Sequence, residues 1–108
     1  MEVFEAIAHP KRREILRMLA QRERSAGEVA SRFSVTQPAI SQHLKVLRET
    51  GLVNERRDGT RRIFSVRPEG LTDLNEFLAD VLPASLERLR MAAEAEERKS
   101  HARRAARN

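Results

Sequence analysis

The side chains best equipped for chemistry lie between residues 36 and 66. Thr36, Gln37, Ser41 and Gln42 bring neutral donors and acceptors, Lys45 a single ammonium, and Arg56, Arg57, Arg61 and Arg62 four planar guanidinium forks. This set suits recognition better than catalysis. A glutamine amide can bond an adenine edge at two points, a hydroxyl can meet any base, and cations seek phosphate. No nucleophile–base–acid set, Walker loop or metal cage accompanies them, so nothing supports an enzyme. The chain has no cysteine, which excludes disulfides, thiolate metal sites and thiol redox sensing. It also lacks Trp and Tyr, leaving little on which single-stranded bases could stack. The expected partner is double-stranded DNA, with no cofactor and no metal.

Two elements must position these groups. The stretch TQPAISQHLKVLRETGLV predicts a helix over residues 36–50. Thr36 suits the N-cap, Pro38 the first turn, and Gly51 a left-handed C′ position. Ile40, Leu44 and Leu47 recur at i, i+4 and i+7 as one apolar stripe. The opposite side carries Pro38, Ser41, Gln42 and Lys45, with Gln37 beside them in the first turn. Such a face is small, polar and almost free of acids, as entry into a major groove requires. Lys45 suits a phosphate. The period then changes in NERRDGTRRIFSV, where Asp58-Gly59 signals a hairpin over residues 53–66. Val53, with Ile63 and Ser65 alternating against Phe64 and Val66, would lay one face of two strands on the core. The four arginines surround the turn, placed for phosphate or minor-groove contact.

Upstream, Val3, Phe4, Ile7 and Ala8 share one side of a short first helix. His9 and Pro10 break it and start a second, buried through Ile15, Leu16, Met18 and Leu19. Lys11, Arg12, Arg13 and Arg17 form its exposed side, for which solvation and DNA backbone contact both remain open. Residues 21–25 read as a polar loop, and Ser25-Ala26-Gly27-Glu28 fits the S-x-x-E capping box of a short third helix. Val29, Ala30 and Phe33 face inward, and Ser34-Val35 turns into the fourth helix, the spacing of a helix-turn-helix. His43, at the margin of the apolar stripe, is expected to be packed and hydrogen-bonded. Beyond Pro68, which ends the second strand, Leu71, Leu74, Phe77, Leu78, Val81, Leu82, Leu86 and Leu89 restore the helical period, and Pro83 should kink or divide that helix. Past Ala92 the chain is charged and expected to fray.

The order of four helices, two strands and a helix, with HPKRREILRML, GEVASRFSVTQPAISQHLKVLRETGLV and RRDGTRRIFSV, resembles a winged helix-turn-helix regulator of the ArsR family. The likeness spans roughly residues 3–68. It implies a mainly α fold with a small β-hairpin wing, order α-α-α-α-β-β-α, acting as a homodimeric repressor. By that resemblance the fourth helix enters the major groove, the wing touches the backbone or minor groove, and the first and last helices form the dimer interface. Val3, Phe4, Ile7, Leu74, Leu78, Val81 and Leu82 are the candidates there. The family's cysteine pair at the start of the third helix is replaced by Glu28-Val29-Ala30. Asp73 and Asp80 without a nearby His make a poor transition-metal site, so the likeness is to metal-independent members.

Charge distribution supports the same division. The net charge is +5. Residues 32–68 hold eight basic and three acidic side chains, whereas residues 69–97 hold two and eight. The basic segment is the footprint of a DNA-facing surface, and the acidic one suits a face kept away from it. Residues 1–91 are expected to form one DNA-binding and dimerisation domain, and residues 92–108 a flexible tail. With neither a run of eighteen apolar residues nor a signal peptide, the expected location is the cytoplasm, away from membranes. The inverted-repeat operator and any small-molecule inducer stay unidentified. Weakly specific architectural DNA binding is the alternative.

Overall fold

The computed structural model describes residues 2–107, apart from the side chains of residues 84–86 and 104–107. The elements run α1 (Val3–Ile7), α2 (Pro10–Gln21), β1 (Arg24–Ser25), α3 (Ala26–Ala30), α4 (Gln37–Glu49), β2 (Val53–Asp58), β3 (Arg61–Val66), a 3-10 turn (Pro68–Leu71) and α5 (Thr72–Arg107). This is the winged helix-turn-helix order with one strand more than expected.

Local chemistry fixes most boundaries. His9 caps α2, its Nδ1 accepting from the Lys11 amide at 3.2 Å, and Pro10 fills the first turn. Ser25 and Glu28 form the reciprocal capping box, each side chain accepting from the other's amide at 3.1 Å. Thr36 caps α4 through the Ala39 amide at 3.3 Å. At the far end of α4, the Leu52 amide reaches back to the Leu47 carbonyl and that of Gly51 to Arg48. Those two bonds define a Schellman motif, and Gly51 takes the left-handed φ of 79° that it requires.

The two expected strands are joined by a third. The sheet is antiparallel in the order β1-β3-β2, with Val53 facing Val66 and Asp58 facing Arg61. β1 adds Arg24 opposite Phe64 and Ser25 opposite Ile63. Both of its residues are buried, although the sequence placed them in a polar loop. Two residues are too few to show a period. The free edge of β3 recruits them, and the Arg24 guanidinium is spent on the Met18 carbonyl and the Gln21 side chain at the end of α2.

The core joins Ala6, Ile15, Leu19, Val29, Ile40, Leu44, Leu47, Leu52, Val53 and Phe64. The stripe predicted for α4 is therefore its buried face. In α1 the buried residue is Ala6, and Ala8 is exposed, because the helix ends one residue earlier.

Two compact units emerge, Met1–Leu74 and Asn75–Asn108. α5 is assigned as one helix through Pro83, and it continues through the charged region expected to fray. Along α5 Arg90 pairs with Glu87 and Glu94, one turn either side, and within the charged region Arg98 donates to the Glu94 carbonyl. Pairs at i+3 and i+4 among alanines support a helix without burial. The Leu86 side chain lies outside the described residues.

Candidate nucleic-acid interface

On α4, Thr36, Gln37, Pro38, Gln42 and Lys45 are exposed and Ser41 is half-buried, while Ile40, Leu44 and Leu47 are fully buried. Helical spacing aligns Pro38, Ser41, Gln42 and Lys45 along one outward strip. No acid lies on α4 before Glu49, whose carboxylate is 4.0 Å from the Lys45 ammonium. An outward strip of neutral hydrogen-bonding groups ending in a cation is therefore present, as the sequence predicted.

The hairpin behaves differently from the expectation of four equivalent arginines. Strand alternation divides them. Glu55 and Arg57 share a face with Phe64 and Arg62, whereas Arg56 and Asp58 share the other with Ile63 and Arg61. On the second face Arg56 pairs with Glu23, and Arg61 with Glu28 at 2.7 Å. Glu28 also meets Arg22 at 3.3 Å. The Ser25 amide and hydroxyl, followed by Arg22, hold its carboxyl below the ordinary value. On the first face Arg62 donates to Glu55 and lies over the Phe64 ring, 5.2 Å from its centroid. Arg57 has no ion pair among the described residues. Gln37, Thr60, Arg61 and Arg62 line one cleft with residues 25–27, bringing the start of α4 beside the hairpin tip.

Three acids and one base escaped the sequence reading. Glu23, Glu28 and Glu55 neutralise hairpin arginines, and Arg48, in the last turn of α4, meets Glu55 at 2.6 Å. The Arg62 hydrogen bond, and then Arg48, holds the Glu55 carboxyl below the usual range. The period of β2 was the available signal for Glu55 and Arg57. Arg32, exposed in the turn between α3 and α4, is a further cation that was not singled out.

Arg12 and Arg13 serve the fold. Arg12 donates to the Ala6 carbonyl at 2.7 Å and to Glu5, and Arg13 to Ile7 and Ala8, closing the C-terminus of α1. His43 is packed as expected, its ring 4.5 Å from that of His9, but its buried Nδ1 has no hydrogen-bond partner among the described residues. Burial, followed by the nearby His9, Arg12 and Lys11, lowers the His43 pKa. Among the described residues no group of three or more His, Cys, Asp or Glu could hold a metal.

The candidate dimer contacts are apolar side chains, taken unit by unit. Val3 and Ile7 pack partly against the core, while Phe4 is 37% exposed. On α5, Leu74 and Leu78 are half-buried, and Val81 and Leu82 are 43% and 37% exposed. No helix among the described residues is long and apolar enough to cross a membrane.

Fold and site together define a winged helix-turn-helix DNA-binding protein. Residues 9–55 match the family described as bacterial regulatory protein, arsR family. The HTH-type transcriptional regulator Rv2034 of Mycobacterium tuberculosis is 44% identical over 78 residues, 68% of this chain and 73% of that protein. The transcriptional repressor SdpR of Bacillus subtilis is 35% identical, covering 66% and 79%. The transcriptional activator HlyU of Vibrio cholerae is 37% identical, covering 70% of each. A crystal structure of a possible transcriptional regulator for arsenical resistance superposes with a TM-score of 0.69 at 38% identity, over 79% of this chain and 88% of that one. The homodimeric winged helix-turn-helix DNA-binding domain of Mb0332 from Mycobacterium bovis gives 0.59 at 33%, over 70% and 73%. This chain belongs to the arsR family of bacterial regulatory proteins and is a transcriptional regulator.

Proposed function

We propose that this regulator acts in the cytoplasm as a homodimeric repressor of an inverted-repeat operator. α4 enters the major groove and the hairpin clamps the flanking backbone. The observation that carries this reading is the exposed, acid-free strip of α4 beside a hairpin rich in arginine. Gln37, Ser41 and Gln42 read base edges in it. Thr36 and Lys45 hold phosphates, while Pro38 shapes the helix start that approaches the groove. Arg57 contributes the most available charge, because Arg56, Arg61 and Arg62 each already answer a carboxylate.

Dimerisation is supported by the homodimeric Mb0332 domain and by apolar side chains on α1 and α5. Leu78, Ala79, Leu82 and Pro83 border an open apolar groove on α5 that a second copy can cover. Two copies related by a two-fold axis would present two α4 helices to successive major grooves. Repression follows from occupying a promoter and excluding polymerase.

The test is binding to the chain's own upstream DNA and to a scrambled duplex across a salt series, with transcription from that promoter measured alongside. Tight binding to the first alone, retained as salt rises, with falling transcript, is the expected result. Gln42→Ala should then cost about 1–3 kcal/mol on the specific duplex and little on the scrambled one. Equal binding to both duplexes, followed by no enriched sequence in a random selection, would make the protein an architectural binder. Rising transcript would make it an activator.

A further inference from the structure

The face of the hairpin that carries Glu55 and Arg62 forms, with the end of α4, a second cleft of about 330 Å³. Arg48, Glu55, Arg56, Arg57 and Arg62 line it. The lining thus holds four cations and one carboxylate, with Arg56 belonging to the opposite strand face. Arg56 is balanced by Glu23 from outside the cleft, Glu55 is shared between Arg48 and Arg62, and Arg57 has no ion pair among the described residues. Two positive charges remain uncompensated.

The arrangement of donors matters more than the count. Glu55 takes Nη1 of Arg48 on one oxygen and Nε of Arg62 on the other. A guanidinium has five N–H donors, so each fork keeps most of its donors for a second acceptor. The Glu55 side chain is 16% exposed, against 43% for Arg48 and 32% for Arg62. The carboxylate is thus the least exposed of the three groups, and the more exposed guanidiniums keep N–H groups that a ligand can meet. The Phe64 ring braces Arg62 from one side. Paired, immobilised forks with a surplus of charge match the tetrahedral oxygens of a phosphate.

We propose that this cleft seats one phosphodiester of the DNA backbone. Arg48 and Arg62 grip its oxygens, Arg57 adds charge, and Glu55 is the positioning residue that fixes both forks. The inference rests on the DNA-facing reading of α4 and the hairpin, and it adds Arg48 and Glu55 to the contact machinery. It also ties the groove-entering helix to the hairpin, so that both meet the duplex in one register.

The experiment compares wild type, Arg48→Ala, Arg48→Lys and Glu55→Gln on the chain's own upstream DNA and on a scrambled duplex, across salt. Circular dichroism and melting check the folds. Arg48→Ala should weaken both duplexes by roughly tenfold, through loss of charge-assisted hydrogen bonds. It should also lower the slope of log affinity against log salt by about one. Arg48→Lys, the variant least disturbing to the fold, should weaken binding several-fold with the slope kept.

Glu55→Gln separates positioning from simple charge. Removing a negative charge beside DNA should by itself tighten binding. A glutamine, however, accepts from only one guanidinium and turns an amide donor toward the other, so weaker binding is expected. Equal or tighter binding by Glu55→Gln, or an unchanged slope for Arg48→Ala, overturns the proposal. Failure of the DNA-binding reading looks different, since wild type itself would then bind neither duplex. Titration of the DNA-free protein with inorganic pyrophosphate separates the sources of phosphate. Absence of saturable millimolar binding is expected, and tight binding lost in Arg48→Ala would assign the cleft to a free anion instead.

Discussion

Gly70 offers the sharpest test of how the end of α4 is held. A Cβ at this position would lie 1.9 Å from the Gly51 carbonyl oxygen, 2.8 Å from its carbon and 3.1 Å from the Leu52 Cα. All three are backbone atoms, so no side chain can swing away. An ordinary C···O contact needs the 3-10 turn and the Schellman turn to part by more than about 1 Å. That movement strains the Arg67 amide bond to the Leu52 carbonyl, 2.9 Å long, and the Arg67 guanidinium bond to Gly51. Overpacking of this kind costs roughly 1–3 kcal/mol, and one weakened hydrogen bond about 1 more. With about 4–8 °C of melting temperature per kcal/mol in a small domain, a loss near 3 kcal/mol moves Tm by roughly 12–24 °C. The assay is thermal and urea denaturation of Gly70→Ala beside Gly51→Ala. The latter meets only the tip of Arg67 at 3.5 Å and carries the left-handed strain alone, about 1–2 kcal/mol. A Gly70→Ala protein melting within about 2 °C of wild type, or above Gly51→Ala, would refute the close approach as the reason for glycine.

Changing Leu74 and Leu78 together to Glu should yield monomers in sedimentation, and a persistent dimer would remove them from the interface. Arg57→Ala should lower the salt slope of DNA binding by about one, and Arg61→Ala by less, because Glu28 already offsets Arg61. The reverse order would show that the ion pairs do not set the available charge. His43 carries a pH prediction. Its folded pKa lies below the ordinary 6.5, so as pH falls past that value the unfolded chain binds a proton that the folded one resists. Stability should therefore decline on acidification below about 6.5, and less so in His43→Gln. Equal declines in the two proteins would assign the acid sensitivity elsewhere.

Much of the molecule was legible from local chemistry. Capping residues, the proline starts, the Gly51 stop and the apolar stripe of α4 each act through neighbours within a turn, so they can be read in order along the chain. The outward strip of Gln37, Ser41, Gln42 and Lys45 follows from that stripe by geometry alone. The hairpin was legible for the same reason, since its Gly59 takes a positive φ of 65° where the turn residues predicted one.

What the sequence could not show depends on partners far apart in the chain. Arg56 meets Glu23 and Arg61 meets Glu28 across 33 residues, so four arginines that looked alike became one available charge and three answered ones. β1 exists only because β3 has an edge to fill, and the Arg48–Glu55–Arg62 bridge only because the end of α4 folds beside the hairpin. Beyond Ala92 the chain is helical although it buries no apolar stripe, and alanines with pairs one turn apart, such as Arg90 with Glu94, favour that helix. The sequence by itself determined which elements form and which α4 face turns outward, because those are short-range choices of conformation. The tertiary structure alone decided which of the hairpin charges are paired, because charge pairing depends on distance in space.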